Sequence, residues 1–328
     1  MLRNGFMYVA LNNNVIAFSR IFFNMNDKSM PLCFAHLSDL HFFSTEWNLA
    51  LFSSPRARSF LAQLHALLPF SSRKQFPGHA KILSEFLKNH SPPLDFILIS
   101  GDLTTKGSAK ECALARSWLK TTDPIPKIII PGNHDVFQKG EKQFPFETLL
   151  LLNGFGFDPK EFSEKSCTLL TLPQGWRFLL LDLTHPKIGH AQGLFSKELE
   201  KQVDKILAAS SGPCIVSGHF PLYGGRTKIR SLLRHQELLQ CLLQHPQVKL
   251  YLHGHTHTLH HRVWTKDQHE LLSLDSGSSL IGEQPTWGIY TLTREQIISK
   301  WFEIEQATPW ELGSFTKGLS AEDSLPTA

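Results

Sequence analysis

The sequence has few cysteines, little net charge and no long apolar run, and each shortage excludes a class of protein. Five cysteines are scattered along 328 residues and no two of them form a CxxC motif. This argues against a disulfide framework or a zinc site built from thiolates, and it indicates a reducing compartment. No apolar run approaches the roughly 18 residues that a membrane-spanning helix needs. The formal net charge of +4 is too small to indicate a nucleic-acid-binding surface.

Hydrophobic residues and histidines, by contrast, are plentiful. Hydrophobic residues make up 41% of the chain and charged residues 19%, which allows a sizeable core and excludes a wholly disordered chain. At about 150 residues per domain, the length predicts one large or two small domains. The 17 histidines stand out because clustered histidines coordinate metals.

Up to about residue 258, short β-type runs alternate with segments whose apolar residues recur at helical spacing. The runs predict strands at 32–37, 96–100, 127–130, 178–183, 214–217 and 248–252. The helical spacing covers 80–89, 108–120, 196–209 and 229–244. This alternation indicates an α/β fold with much parallel pairing. Beyond it, runs without intervening helices predict antiparallel strands at 260–264, 271–274, 288–293 and 297–302.

We predict one main domain over residues 30–306. Residues 1–29 are mildly apolar, but asparagines interrupt them and no cleavage site follows, so they make a poor secretion signal. A disordered arm, a peripheral membrane anchor and a mis-assigned start remain alternatives for this segment. From residue 307 the chain is polar and contains proline, so we expect 307–328 to be a poorly ordered tail.

Residues 42–79 fit no strand–helix unit and form an apolar, basic insert. Trp47 precedes an amphipathic stretch at 60–68, and basic residues that include Arg56 and Arg58 flank it. A connection this long is usually functional or disordered, and its apolar content argues against disorder. Two interpretations stay open: a lid over an apolar, anionic substrate, or an ordinary helix with one buried face and solvated arginines.

Polar clusters stand at or just past the C-terminal ends of five predicted strands. They are Ser38-Asp39-Leu40-His41, Ser100-Gly101-Asp102, Pro131-Gly132-Asn133-His134-Asp135, Ser217-Gly218-His219 and His253-Gly254-His255-Thr256-His257. In an open α/β sheet the carboxyl ends of the strands meet in one crevice, where ligands bind. The fold therefore predicts that these clusters converge from across the chain.

The clusters offer oxygen and nitrogen donors without a thiolate. The candidate ligands are Asp39, His41, Asp102, Asn133, His219, His255 and His257. This donor set suits Mn, Fe or Zn. Seven ligands are too many for one ion and suit two, which together can clamp a phosphoryl group and generate a hydroxide nucleophile. Any one of these histidines alone is more often an ordinary loop or core residue, but that interpretation must then explain all five clusters independently. His253 is the remaining histidine that stands closest to the predicted site.

The ordered set D-x-H, G-D, G-N-H-D, lone His and G-H-x-H resembles the calcineurin-like metallophosphoesterase family. The resemblance spans residues 39–257 and implies a four-layer α/β/β/α sandwich with two mixed central sheets. It implies one ion held by Asp39, His41, Asp102 and His257, and another held by Asp102, Asn133, His219 and His255. It also implies that His134 stabilises or protonates the leaving oxygen and that Asp135 holds the His134 ring. A histidine in that position can donate to charge that develops on oxygen.

Within the family, the chain lacks the G-D-x-x-D-R-G pattern of the Ser/Thr protein phosphatases. Its closest resemblance is to the UDP-2,3-diacylglucosamine pyrophosphatases of lipid A biosynthesis in chlamydia-like bacteria. That resemblance implies two divalent ions, most simply Mn, and a lipid-linked nucleotide substrate cleaved to lipid X and UMP. It also implies a cytoplasmic protein with a possible peripheral attachment to the inner membrane. Arg56, Arg58 and Arg226 are the predicted substrate contacts, and no nucleic acid or obligate protein partner is expected.

Two other functions remain open. A cyclic-nucleotide or general phosphodiesterase shares the motif style, although such enzymes commonly carry paired histidines where this chain has only His219 followed by Phe220. A non-catalytic scaffold for membrane or protein docking is disfavoured because none of the proposed ligands is replaced.

Overall fold

The computed structural model describes residues 31–44, 76, 78–136, 146–186, 191–224, 227–293, 296–305 and 308–318. The chain divides into Met1–Met30 and Pro31–Ala328, and all the elements below belong to the second unit. The predicted N-terminal arm, most of the insert at 42–79 and the predicted contacts Arg56, Arg58 and Arg226 lie outside the described residues.

Two mixed sheets form the centre of the fold. The strands in chain order are β1 (Leu32–Leu37), β2 (Phe96–Ile99), β3 (Lys127–Ile129), β4 (Cys167–Thr171), β5 (Arg177–Leu181), β6 (Gly193–Leu194), β7 (Cys214–Ser217), β8 (Leu232–Leu233), β9 (Val248–His253), β10 (Leu259–Lys266), β11 (His269–Ser276), β12 (Thr286–Leu292), β13 (Gln296–Glu305) and β14 (Thr308–Gly318). One sheet has the order β14-β13-β12-β1-β2-β3 and the other β10-β11-β9-β7-β5-β4. In the first sheet β1, β2 and β3 are parallel and β12, β13 and β14 pair antiparallel. In the second sheet β5, β7, β9 and β11 are parallel, and the edge strands β4 and β10 are antiparallel to their neighbours.

Helices cover the outer face of each sheet. They are α1 (His79–Asn89), α2 (Ala109–Thr121), α3 (Glu147–Leu150), α4 (Pro159–Lys165), α5 (Lys197–Ala208) and α6 (His235–Leu243). A capping box starts α2, because the Ser108 side chain accepts from the Glu111 backbone and the Glu111 carboxylate accepts from the Ser108 backbone. None of the helices within the described residues is long and apolar enough to cross a membrane.

Aromatic side chains fill the space between the sheets. Phe34 of β1 stacks on Phe96 of β2 with ring centroids 4.6 Å apart, and Phe96 lies 6.1 Å from Phe178 of β5 in the other sheet. On the outer face of the second sheet, Leu199 and Val203 of α5 are buried in a separate cluster. The predicted four-layer α/β/β/α sandwich is confirmed.

Two predicted segments differ from the structure. The helix predicted over 229–244 begins only at His235, because Arg234 adopts a left-handed backbone (φ 62°) that a helix cannot contain. The tail expected to be poorly ordered from residue 307 instead contains β14, which pairs along β13. β14 is an edge strand with one exposed face, so its sequence looks polar although Phe315 packs against the core.

Candidate metal centre

The fold brings the five strand-end clusters to one place. The backbone N–H of Asp39 donates to the Gly101 carbonyl at 3.1 Å, and the N–H of Gly254 donates to the His219 carbonyl at 3.1 Å. A hydrogen bond links the loops of the two sheets, because the N–H of His255 donates to the Asp39 carboxylate at 2.9 Å. Because these strands are parallel, their C-terminal ends share one edge of the sandwich.

Five of the seven predicted ligands have a left-handed backbone that L-residues rarely adopt. Their φ angles are 53° at Asp39, 48° at His41, 51° at Asp102, 74° at His255 and 58° at His257. Such conformations cost roughly 1–3 kcal/mol each and persist only where the surrounding structure holds them. Their concentration at one edge is typical of a functional site.

Two glycines allow the loops to approach each other this closely. A Cβ on Gly132 would lie 2.2 Å from Asp102 Oδ1, and one on Gly254 would lie 1.8 Å from Ser38 Oγ and 2.4 Å from Asp39 Oδ2. Any other residue at either position would push a ligand loop away, so the glycine is required by contact with neighbouring loops.

The structure brings the four residues of the first predicted ligand group together. One ligand atom from each of its members lies within 4.8 Å of all the others; the members are Asp39, His41, Asp102 and His257. His257 Nε2 is 3.0 Å from Asp39 Oδ1 and 3.2 Å from His41 Nε2, and His41 Nε2 is 3.7 Å from Asp102 Oδ2. Three of the four residues are buried, and His257 is partly exposed, which gives the site an open side.

The second predicted group lies on the other side of Asp102. Asp102 Oδ2, which faces His41, is also 3.4 Å from His219 Nε2. His255 Nδ1 is 2.9 Å from Asn133 Oδ1, and the His219 and His255 rings are 5.2 Å apart. One carboxylate oxygen therefore faces both groups, which suits a ligand shared by two cations.

The protonation of two ligand histidines fits cation binding. His219 Nδ1 lies 2.8 Å from the Ser100 carbonyl and His255 Nε2 lies 2.8 Å from the Arg230 carbonyl. A carbonyl only accepts, so these nitrogens carry the proton and the opposite nitrogen faces the site. His219 Nε2 is buried and has no hydrogen-bond partner among the described residues. A bound cation satisfies such an atom, so the residues fit two divalent ions.

The site concentrates negative charge. Burial raises the pKa of the Asp39 carboxyl, but His257 and the other nearby histidines outweigh burial and hold this pKa well below its usual range. The pKa of Asp102 is lowered in the same way, chiefly by His219. Burial lowers the pKa of His219, yet the Asp102 charge outweighs it and raises this pKa to about 10. A cation must displace that proton, so metal affinity should rise with pH.

His134 lies against the first group. Its backbone N–H donates to Asp102 Oδ1 at 2.7 Å, and its ring is 4.9 Å from the His41 ring. Its Nδ1 lies 2.7 Å from the Thr105 carbonyl, which fixes the proton on Nδ1 in the neutral ring. The ring is half-buried at the edge of the centre, where it can meet a substrate oxygen.

Asp135 is bonded to the loops around the centre. Its carboxylate accepts from the Gly132 and Thr104 N–H groups, both at 2.9 Å, and from the Thr104 hydroxyl at 2.8 Å. The His134 ring is held by the Thr105 carbonyl, next to Thr104 in the same loop. That Asp135 itself orients the His134 ring stays a prediction. Burial, and then the Asp102 charge, raises the pKa of Asp135 to about 7.

Several positioning groups were missed at the sequence level. The carbonyls of Ser100, Thr105 and Arg230 orient ring nitrogens, and a backbone carbonyl has no residue-type signal in a sequence. Glu111, the capping-box residue of α2, is also a buried carboxylate that accepts from the Ser44 and Lys106 N–H groups, and the sequence gives no sign of these two contacts.

Comparisons with known proteins agree with this geometry. The family model for Calcineurin-like phosphoesterase matches residues 33–259. A probable cyclic nucleotide phosphodiesterase of Synechococcus sp. is 30% identical over 179 residues, which are 52% of this chain and 60% of that protein. A 3',5'-cyclic-nucleotide phosphodiesterase of Nostoc sp. is 24% identical over 83% of this chain and 86% of that protein. A probable glycerophosphodiester phosphodiesterase of Arcobacter nitrofigilis is 24% identical over 64% of this chain and 78% of that protein.

Solved structures share the fold. A dimetal phosphatase from Danio rerio superposes with a TM-score of 0.59 at 14% identity, covering 86% of this chain and 98% of that one. A purple acid phosphatase from Lupinus luteus gives 0.56 at 14% identity, covering 92% and 57%. The family match covers more than half of the chain and includes every predicted ligand. The chain belongs to the Calcineurin-like phosphoesterase family, and its candidate ligands form two groups that suit a dinuclear metal site.

Proposed function

We propose that this protein is a phosphodiesterase that hydrolyses one P–O ester bond of a small phosphodiester, with a 3',5'-cyclic nucleotide as the first candidate substrate. The observation that carries the proposal is the single Asp102 oxygen that faces both ligand groups, beside a histidine whose ring is held at the edge of the centre. The relatives named above, which are cyclic-nucleotide and glycerophosphodiester phosphodiesterases, support the substrate class.

Mn²⁺ is the proposed metal, since oxygen and imidazole donors without thiolate suit it. When bound, two such ions polarise the phosphoryl oxygens and lower the pKa of water at the site. Within the protein, Asp102 keeps the two ligand groups together and the carbonyls of Ser100 and Arg230 fix the histidine tautomers. Asp39 holds the turn between the last two ligands through the N–H of His255.

His134 has the role of acid. As hydroxide adds to phosphorus and the P–O bond breaks, the leaving oxygen gains an electron pair. The His134 imidazolium gives that oxygen its proton from Nε2, while Nδ1 keeps its bond to the Thr105 carbonyl. The products are an alcohol and a phosphomonoester, so a cyclic nucleotide opens to a nucleoside monophosphate.

UDP-2,3-diacylglucosamine remains a second substrate to test. No comparison supports it, and the proposed contacts Arg56, Arg58 and Arg226 lie outside the described residues. The same two ligand groups would serve its pyrophosphate bond. Peripheral attachment to the inner membrane, and the absence of nucleic-acid and obligate protein partners, likewise stay predictions.

A substrate panel tests the proposal. The purified chain with Mn²⁺ is assayed on 3',5'-cyclic AMP, a glycerophosphodiester, bis(p-nitrophenyl) phosphate and UDP-2,3-diacylglucosamine, with Asp102→Ala as the control for contaminating activity. We expect the diesters to be cleaved and the control to be inactive. Release of UMP from the lipid with no diester cleavage would reverse the order of the two candidates. Activity that survives in the Asp102→Ala variant would contradict both and revive the docking scaffold.

A further inference from the structure

A second cluster of metal-ligating side chains lies outside the seven ligands described above. Asp275 near the end of β11 pairs with His253 on β9 and with His260 on β10. Directly paired residues on neighbouring strands carry their side chains on the same face, roughly 5 Å apart. The register therefore places two imidazoles on either side of one carboxylate. One ligand atom from each residue can be chosen so that all three lie within 4.8 Å of one another.

The separations suit a shared ion. The two imidazole rings are 5.9 Å apart, and one ligand atom from each of the three residues lies within 4.8 Å of the others. Tetrahedral zinc with bonds of about 2.0–2.2 Å places its ligand atoms about 3.3–3.6 Å apart, so this spacing is compatible with a shared ion.

The charge in this cluster is buried. His253 and Asp275 have no exposed surface, and Asp275 accepts from the Thr256 hydroxyl at 2.7 Å and from the Gly277 N–H at 2.8 Å. Burying a carboxylate is costly unless a positive group is paired with it. The Thr256 hydroxyl and the Gly277 N–H bring no net charge, and His253 Nδ1 lies 3.3 Å from Asp275 Oδ2. A cation bound here would supply the missing positive charge.

His253 leaves one nitrogen unsatisfied. Its Nδ1 lies 3.1 Å from the Gly254 carbonyl, so Nδ1 carries the proton and Nε2 carries the lone pair. Nε2 is buried and has no hydrogen-bond partner within the described part of the chain. A buried nitrogen of this kind needs a ligand, a water or an ion.

His260 completes the set. Its Nδ1 lies 3.0 Å from the Thr258 carbonyl, which leaves the lone pair on Nε2. That nitrogen contacts the Tyr223 hydroxyl. Burial, and then the Asp275 charge, raises the pKa of Tyr223 to about 12, so this group is a neutral hydroxyl at physiological pH. A half-buried neutral hydroxyl is a weak competitor for an imidazole lone pair.

We infer that His253, Asp275 and His260 form a further divalent-cation site, suited to Zn²⁺, that is separate from the dinuclear centre. Two imidazoles and one carboxylate with an open fourth position match the ligand types of zinc. The ion joins β9, β10 and β11 at one level. It lies behind the turn that carries His255 and His257, because Thr256 between them donates to Asp275. Its role is to brace that turn.

The experiment counts zinc in the full chain. All proteins carry Cys241→Ser, because Cys241 lies close to Asp204 and His245 and its thiol could bind zinc there. Each protein is stripped with chelator, loaded with Zn²⁺, freed of unbound metal by gel filtration and measured by elemental analysis. We expect three zinc ions per chain in this background and two after His260→Ala.

Two variants serve as matched controls. His261→Ala removes the neighbouring histidine, which stacks on Trp301 instead, and should keep three ions. Tyr223→Phe removes the hydroxyl that contacts His260 Nε2 and should keep the third ion and bind it more tightly.

The result that overturns the inference is an equal zinc content with and without His260. If His260→Ala fails to fold, His260→Phe takes its place, and a zinc content equal to that of the background protein again contradicts a third site. Thermal unfolding gives a second reading: zinc added beyond two equivalents should raise the Tm of the background protein and leave that of His260→Ala unchanged. If the dinuclear centre binds fewer than two zinc ions, the total falls equally in the background protein and in His260→Ala, and the difference of one ion between them remains. Failure of the proposed function and failure of the third site can therefore be told apart.

Discussion

The strand-end loops of the metal centre and the C-terminal strands β12–β14 differ in backbone conformation, buried charge and packing. In the loops, five ligands have a left-handed backbone and two buried carboxylates face histidines. Among the described residues of β12–β14 no backbone angle is left-handed, and aromatic packing dominates, as where Trp287 lies 5.1 Å from Phe86. The loops hold strain and charge that favour chemistry, and the strands supply the stability that holds them. Changes in the loops should therefore cost activity first, and changes in the strands should cost stability first.

The largest expected effect is at Asp102. Asp102→Ala removes the oxygen that faces both ligand groups, so both ions are lost and turnover falls by roughly 10³-fold or more. Elemental analysis and diester hydrolysis measure the two losses, and circular dichroism checks the fold. Retained metal with lost activity would show that Asp102 does not bridge.

His134→Ala should reduce kcat by roughly 10²–10⁴-fold, because the leaving oxygen loses its proton donor. Metal content should stay at the wild-type value, since His134 is not a ligand. The defect should be smaller for bis(p-nitrophenyl) phosphate than for cyclic AMP, because nitrophenolate leaves without a proton. An equal defect with both substrates would assign His134 to binding rather than to acid catalysis.

Glu111 accepts hydrogen bonds from the backbone N–H groups of Ser44 and Lys106, and its raised pKa predicts that stability depends on pH. Burial raises its pKa from 4.5 to about 7. A folded pKa above the unfolded value means that its contribution is complete below about pH 4.5 and is lost as pH rises through 7. Relative to Glu111→Gln, the wild type should lose on the order of 3 kcal/mol between pH 4.5 and 8. Urea unfolding at a series of pH values measures this, and parallel curves would refute it.

The smallest expected effect is at Trp301 on β13, which packs half-buried against the core and stacks on His261 at 5.4 Å. Trp301→Ala should lower the free energy of unfolding by about 2 kcal/mol, less than for a fully buried aromatic residue. The kcat should stay within about twofold of wild type. Trp310, 60% exposed on β14, is the matched control, and its alanine variant should change stability by under about 0.5 kcal/mol. A large loss of activity in Trp301→Ala would contradict the expectation that changes in the strands affect stability before activity.

The candidate ligand set could be predicted because each member is a distinctive residue type at a strand end. Asp39, Asp102 and His219 follow mostly apolar strands that are buried throughout, and such runs are a clear strand signal in a sequence. Parallel strands align their C-terminal ends, so the meeting of the clusters follows from fold class alone.

Two features could not be read from the sequence. The family resemblance implies that Asp135 holds the His134 ring. The structure adds a hydrogen bond from the Thr104 hydroxyl to Asp135 and one between the His134 ring and the Thr105 carbonyl, and no sequence pattern marks either contact. The tail at β14 looked disordered because an exposed edge strand lacks an apolar run. Its order comes from pairing with β13 and cannot be seen in the strand itself.

The amino-acid sequence by itself predicted the phosphoesterase reaction class and the seven candidate ligands, because metal chemistry restricts which side chains can serve and periodicity shows where strands end. Only the tertiary structure decided which ring nitrogen faces the centre, which carbonyl holds His134 and which histidines stand across from Asp275. Those facts depend on strand register and on backbone groups, which all residues share, and a register becomes visible only when distant segments are paired.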